Sequence, residues 1–156
     1  MAEIAAAATE EDFVIARQLF GEYAESLPFD LDFQDFDQEL KSFPGKYAQP
    51  AGCLLLGRVD GQVAGVVGLR PLEDGACEMK RLYLRPEYRG IGLGKDLAVA
   101  VIAEARKRGY LAMRLDTLGD TMQAAILVYK KLGFREIDPY THNPLPDAIY
   151  MELDLS

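Results

Sequence analysis

The chain has 156 residues, 49% of them hydrophobic and 27% charged, a balance that suits one folded domain over residues 1–156 and excludes a disordered chain. Its 25 acidic against 17 basic side chains leave a formal charge of −8, which repels nucleic-acid backbones and anionic membranes. No apolar run approaches the ~20 residues of a membrane helix, and the start lacks the basic and apolar regions of a signal peptide, so a cytoplasmic protein with small cationic partners is expected.

Residues 4–8 read as a short strand. Thr9, with Asp12 three residues later, has the pattern of a capping box, and Phe13, Ala16, Leu19, Phe20 and Tyr23 fall at helical spacing up to about Ser26, where Pro28 ends the run. Residues 32–43, with Phe33, Phe36 and Leu40 apolar, predict a second, shorter helix stopped by Pro44 and Gly45. Two apolar strands, 53–59 and 62–69, flank Asp60-Gly61, the dipeptide that supplies the positive φ angles of a two-residue hairpin. A third strand, 76–84, completes an antiparallel meander and runs into a glycine loop.

Leu93, Leu97, Val101 and Ala105 repeat every four positions in a helix over 93–108, with Gly109 as its stop. Residues 110–116 read as a strand, so strand, helix and strand form a βαβ crossover with two parallel strands. Asp120 with Gln123 suggests another capping box ahead of a helix striped by Met122, Ala125, Ile126, Tyr129 and Leu132 and stopped by Gly133. Strands at 134–137 and 148–153 enclose a proline-containing loop, 138–147. Cys53 and Cys77 lack metal-ligand spacing and read as free buried thiols, and no metal site is expected.

The acidic side chains gather near the front, while Lys and Arg cluster between Arg70 and Arg114, so an anionic ligand is expected in the middle of the chain. There, Gly90, Gly92 and Gly94 let the backbone approach a ligand closely, and the amides of residues 90–95 point forward from a helix N-terminus, with Arg89 and Lys95 adding positive charge. Phosphate is the natural guest. A Walker A loop fails because position 89 is Arg and position 96 is Asp, and a dinucleotide fingerprint fails because position 95 is Lys.

What remains is Arg-x-x-Gly-x-Gly, met as Arg89, Gly92 and Gly94, and it resembles the coenzyme-A signature of the GNAT N-acetyltransferase superfamily. Upstream, Glu78-Met79-Lys80-Arg81-Leu82-Tyr83-Leu84 is similar to that family's fourth strand, and downstream Ala125 to Phe134 resembles its Ala-x-x-x-Tyr-x-Lys-x-Gly-Phe segment. One departure is Met122, where many members carry Asn. The resemblance implies an α/β (α+β) fold of GNAT type: a mixed, mostly antiparallel sheet of about seven strands, four helices and one βαβ coenzyme-A-binding unit.

It also implies an acyltransferase that moves an acetyl group from acetyl-CoA to a primary amine of a small molecule or peptide, by direct transfer and without a metal. A non-catalytic acyl-CoA-binding or partner-binding domain is the alternative. In the family the amides of Leu82 and Leu84, on either side of Tyr83, would pair with the pantetheine arm like an added strand. Residues Arg89, Gly90, Ile91, Gly92, Leu93, Gly94 and Lys95 would hold the pyrophosphate.

Tyr129 would donate a proton to the departing thiolate, since a tyrosine with a reference pKa near ~10 stays protonated at pH 7. Glu78 would take the proton of the acceptor ammonium, or else be a carboxylate paired with Lys80; with regular alternation it shares a face with Leu82 and Leu84. Asp116 is a second candidate for that base. His142, in the proline loop with Tyr140, either lines the acceptor pocket or lies exposed; Phe29, Phe33 and Phe36 either wall an acceptor site or, the simpler reading, pack the second helix against the sheet; and a homodimer through the C-terminal strands is compatible with the pattern.

Overall fold

A computed structural model describes residues 2–27, 36–120 and 122–156. Seven strands form one sheet: β1 (Ala2–Ala6), β2 (Cys53–Val59), β3 (Gln62–Pro71), β4 (Ala76–Leu84), β5 (Ala112–Leu118), β6 (Arg135–Ile137) and β7 (Ala148–Asp154). Their order across the sheet is β1-β2-β3-β4-β5-β7-β6. Every neighbouring pair is antiparallel except β4 and β5. Among the described residues the four α-helices are α1 (Glu10–Ser26), α2 (Phe36–Lys41), α3 (Leu93–Lys107) and α4 (Gln123–Lys131). The expected mixed sheet with one parallel βαβ unit is therefore present.

Local chemistry explains most of these elements. The capping box at the start of α1 forms, the Asp12 amide donating to Thr9 Oγ1 at 3.1 Å and the Thr9 amide to Asp12 Oδ2 at 3.3 Å. The Ala8 amide also donates to Asp12, at 3.0 Å, which ends β1 earlier than the expected residue 8. At the β2–β3 hairpin Asp60 and Gly61 have φ of 50° and 81°, as a two-residue turn requires.

Three expectations need correction. α2 covers only Phe36–Lys41 of the expected 32–43; residues 32–35 lie outside the described residues, as does the proline expected to stop α1. Pro44 disfavours a helical Phe43, and a 3₁₀ turn at Gly45–Tyr47 follows. β5 begins at Ala112 rather than residue 110, because the Tyr110 amide closes α3 on Ala105 and the Leu111 amide donates to Gly75. The Asp120–Gln123 capping box does not form: Gln123 is the first residue of α4, not its third, and Met122 stands at the cap, its side chain capping no amide. The Asp120 amide instead donates to Asp147 at 3.3 Å.

Helices cover both faces of the sheet. α3 and α4 lie over a core that includes Val67, Leu69, Met79, Leu97, Val101, Met113 and Met151, while α1, α2 and Tyr47 enclose Phe20, Leu54, Leu56, Val66 and Tyr83 on the opposite face. Cys53 and Cys77 are free and buried, and burial pushes their thiols up to about 11 and about 12.

β4 carries the feature that shapes the site. Val66 stands opposite Tyr83 and Gly68 opposite Lys80, so Arg81 and Leu82 together face Val67 in a β-bulge. Arg81 has φ of 60°, a left-handed backbone that costs a non-glycine residue about 1–3 kcal/mol. Its guanidinium offsets that cost by gripping both carboxylate oxygens of Glu39, at 3.2 and 3.3 Å, over the ring of Phe36. The slip returns Leu82 and Leu84 to the α3 face of Cys77 and Met79. Glu78 therefore does not share their face, because alternation is not regular through Arg81.

Tyr47 and Glu22 fasten the α1 side to the sheet. A Cβ at Gly68 would stand 2.6 and 2.8 Å from two ring atoms of Tyr47, whose ring is held edge-on by Phe20 at 5.4 Å. Glu22 accepts from Arg85 Nε at 3.1 Å and Nη2 at 2.8 Å, and from the Tyr83 hydroxyl at 3.3 Å. Hydrogen bonding to Arg85 holds the Glu22 carboxyl below its ordinary value.

Gly68→Ala is expected to lower stability by about 1–3 kcal/mol, read as a lower urea midpoint at unchanged slope. Because the folded-state pKa of Glu22 is depressed, its contribution is complete above the unfolded value of 4.5 and is lost as pH falls through the folded value. Glu22→Gln is thus expected to flatten that part of the acid-unfolding curve, and an unchanged curve counts against this clamp.

Candidate active site

The parallel pairing of β4 with β5 runs only from Ala76 and Ala112 to Glu78 and Arg114. β5 stays with β7 as far as Leu118, so beyond residue 78 the two strands part and leave a cleft of about 650 Å³. One side is lined by residues 79–84 and the other by residues 115–118; Ala125, Val128 and Tyr129 of α4 join from the face that α3 and α4 cover, Tyr23 and Ser26 from α1, and Asn143 and Leu145 from the loop 138–147.

The glycine loop sits at one end of this cleft. Pro86–Tyr88 forms a 3₁₀ turn, Gly90 and Gly92 have φ of 81° and 88°, and Gly92 is the residue from which α3 starts. Nothing lies within 4 Å of where a Cβ on either glycine would be, so the backbone there faces open space. The first amides of α3 have no intrahelical acceptor and carry the positive end of the helix dipole. An anionic group fits this end of the cleft.

Of the residues expected at the donor site, Leu82, Tyr83, Leu84, Arg89, Gly90, Gly92, Gly94 and Lys95 line the cleft, together with Tyr129. Ile91 is 59% exposed and Leu93 is 1% exposed in the core, which leaves their amides, not their side chains, available to a ligand. Arg89 folds back, its Nε donating to the Leu84 carbonyl at 3.0 Å and its guanidinium lying 5.8 Å from the ring centre of Tyr83. Tyr129 is buried and packs against Phe134 at 5.7 Å, and burial raises its pKa above the ordinary tyrosine value.

Glu78 lies behind the cleft surface rather than on it. It accepts from Arg70 Nε at 2.7 Å and from the Tyr140 hydroxyl at 2.6 Å, and is 1% exposed. Lys80 reaches Asp116 across the parted strands at 3.5 Å, and both line the cleft. Asp116 also accepts from the Asn143 amide at 3.1 Å. Burial lowers the Lys80 pKa, with Glu78 and Asp116 opposing.

Burial first, then the neighbouring Glu78 carboxylate, raises that of Tyr140. Phe36 packs under Arg81, His142 is exposed in its loop, and Phe29 and Phe33 lie outside the described residues. The parts that sequence reading missed are the half-buried Glu39 and Arg70 and the buried Arg81 as an ionic network, and Asn143 as a partner of Asp116. The signal was two adjacent cations, Lys80 and Arg81, two residues after Glu78 inside a strand whose other residues are apolar.

The acetyltransferase (GNAT) family profile matches residues 15–134. An uncharacterized N-acetyltransferase of Schizosaccharomyces pombe is 42% identical over 155 residues, which cover 98% of this chain and 94% of that protein. A GNAT-family acetyltransferase structure from Staphylococcus aureus superposes with a TM-score of 0.79 at 21% identity, covering 100% of both chains. A Salmonella typhimurium protein solved with its cofactor acetyl-CoA gives 0.74 at 19% identity, over 100% of this chain and 95% of that one. The glycine loop at a helix start, the bulged β4, the parting from β5 and a match covering most of the sequence lead to one assignment: the chain belongs to the GNAT family of acetyltransferases.

Proposed function

We propose that this enzyme transfers the acetyl group of acetyl-CoA to a primary amine in a single step, with both substrates bound together. The observation that carries the reading is the place of Tyr129, in the same cleft as the glycine loop and the parted ends of β4 and β5. The amides of Leu82 and Leu84 and those of residues 89–95 supply donors for an extended, phosphate-bearing substrate, and the Salmonella typhimurium complex supports acetyl-CoA as that substrate.

The amine nitrogen bonds to the acetyl carbon, the carbon–sulfur bond breaks, and the thiol leaves with one proton. In this reading Tyr129 delivers that proton and is restored by the proton that the newly acylated nitrogen gives up. Burial keeps its hydroxyl protonated throughout the physiological range, so it acts as a donor and not as a base. The amine arrives as ammonium and must lose a proton before it attacks. Asp116 lines the cleft and takes that proton on its way to solvent, while the same burial that depresses Lys80 disfavours the charged form of an amine placed beside it. Glu78, gripped by Arg70 and Tyr140, acts as a positioning residue that holds the loop 138–147 against the cleft.

Tyr129→Phe is expected to reduce kcat by about 10²–10⁴-fold while the acetyl-CoA Kd stays within about twofold, measured by thiol release and by titration. Equal turnover by the variant removes Tyr129 from the chemistry. Acetyl-CoA binding without thiol release for any amine assigns the chain to a non-catalytic acyl-CoA-binding role instead. Asp116→Asn is expected to lower kcat by about 10²-fold at saturating acetyl-CoA and Glu78→Gln by about tenfold or less; the reverse order restores Glu78 as the base.

A further inference from the structure

The acceptor end of the cleft is defined by charge. Beyond the point where β4 and β5 part, Lys80 and Asp116 face each other with Nζ and Oδ1 3.5 Å apart, and their side chains are 6% and 5% exposed. Arg81 and Asn143 also line the cleft, as do Tyr23 and Ser26 of α1. Asp116 is the one carboxylate among the described residues that line the cleft.

This pair differs from two of the clamps near it. Arg70 holds Glu78 at 2.7 Å and Arg85 holds Glu22 at 2.8 Å, distances of charge-assisted hydrogen bonds that fasten one element to another. Lys80 and Asp116 meet at a longer distance and border open volume. A buried pair of this kind adds little to stability once the desolvation of both charges is counted. It does present one positive and one negative group, side by side, to whatever enters the cleft.

An acceptor ammonium seeks the carboxylate. If the acceptor carries only positive charge, its ammonium on Asp116 lies next to the ammonium of Lys80, where low dielectric makes like charges repel strongly. A second charge of opposite sign on the acceptor removes that conflict. We propose that the acceptor is a zwitterion of the amino-acid class, its ammonium against Asp116 and its carboxylate against Lys80. The short span from ammonium to carboxylate in an α- or β-amino acid suits a pair only 3.5 Å apart, so the four charges form a closed square with each beside its opposite. Asn143 steadies the Asp116 corner through its bond to Oδ2. This inference rests on the acetyltransferase reading and narrows the broader expectation of a cationic acceptor to one that is neutral overall.

The test measures thiol release from acetyl-CoA with three sets of acceptors: amino acids including β-alanine, the carboxamides of the same compounds, and spermidine and tyramine, which have no carboxylate. At least one acid is expected to have kcat/KM about 100-fold or more above its own amide. In Lys80→Met that ratio is expected to fall to about threefold or less, with acetyl-CoA affinity, the control for folding, retained. Should that variant fail to fold, the acid-to-amide ratio of the unaltered enzyme decides the matter. Amides, spermidine or tyramine used as well as the acids overturn the zwitterion and leave the acetyltransferase standing. Acetyl-CoA binding with no release for any acceptor overturns both.

Discussion

β4 and β5 share a parallel ladder for only three residues on each strand, and the cleft exists because they then separate. The separation has a local cause in the bulge at Arg81, where one extra residue on β4 sharpens the twist and turns the distal half of the strand away. β5 cannot follow, since its other edge is paired to β7 along its full length from Ala112 to Leu118. The backbone of residues 82–84 therefore has β3 on one side and the cleft on the other. Buried backbone amides need partners, and an extended substrate arm can provide them as a strand would.

The bulge is held by charge. Arg81 keeps an unfavourable backbone angle while its guanidinium is tied to Glu39 and lies over Phe36. Arg70 lies 3.8 Å from the same Glu39 and bonds Glu78, and Glu78 receives Tyr140 from the loop 138–147. Lys80 and Asp116 bridge the parted strands, with Asn143 from the same loop on the far oxygen. Charges buried this deeply persist only when paired, so α2, β3, β4, β5 and the loop are coupled through one ionic network. A chain with a formal charge of −8 thus gathers Arg70, Lys80 and Arg81 on β3 and β4 around the parted strands.

Much of this was legible beforehand because it is local. The Thr9 capping box, the Asp60-Gly61 hairpin and the four-residue repeat of α3 each depend on neighbours within one or two turns, and each appears where the pattern put it. The Asp120–Gln123 box failed for the opposite reason: whether Asp120 caps a helix depends on a competing partner, and Asp147, 27 residues away, takes its amide. β5 began two residues later than its apolar pattern suggested because Ala105, at the end of α3, claimed the amide of Tyr110, and Gly75, distant in sequence, claimed that of Leu111.

By itself the sequence determined the glycine loop at a helix start, the strand and helix that flank it, and a tyrosine one helix later; these follow from residue type and short spacing. Only the tertiary structure decided which carboxylate borders the cleft. Alternation along β4 would have set Glu78 beside Leu82 and Leu84, but the slip at Arg81 places it behind the surface and leaves Asp116 on it. No local rule predicts a left-handed arginine inside a strand. It is stable because Glu39, 42 residues earlier in the chain, is folded against its guanidinium.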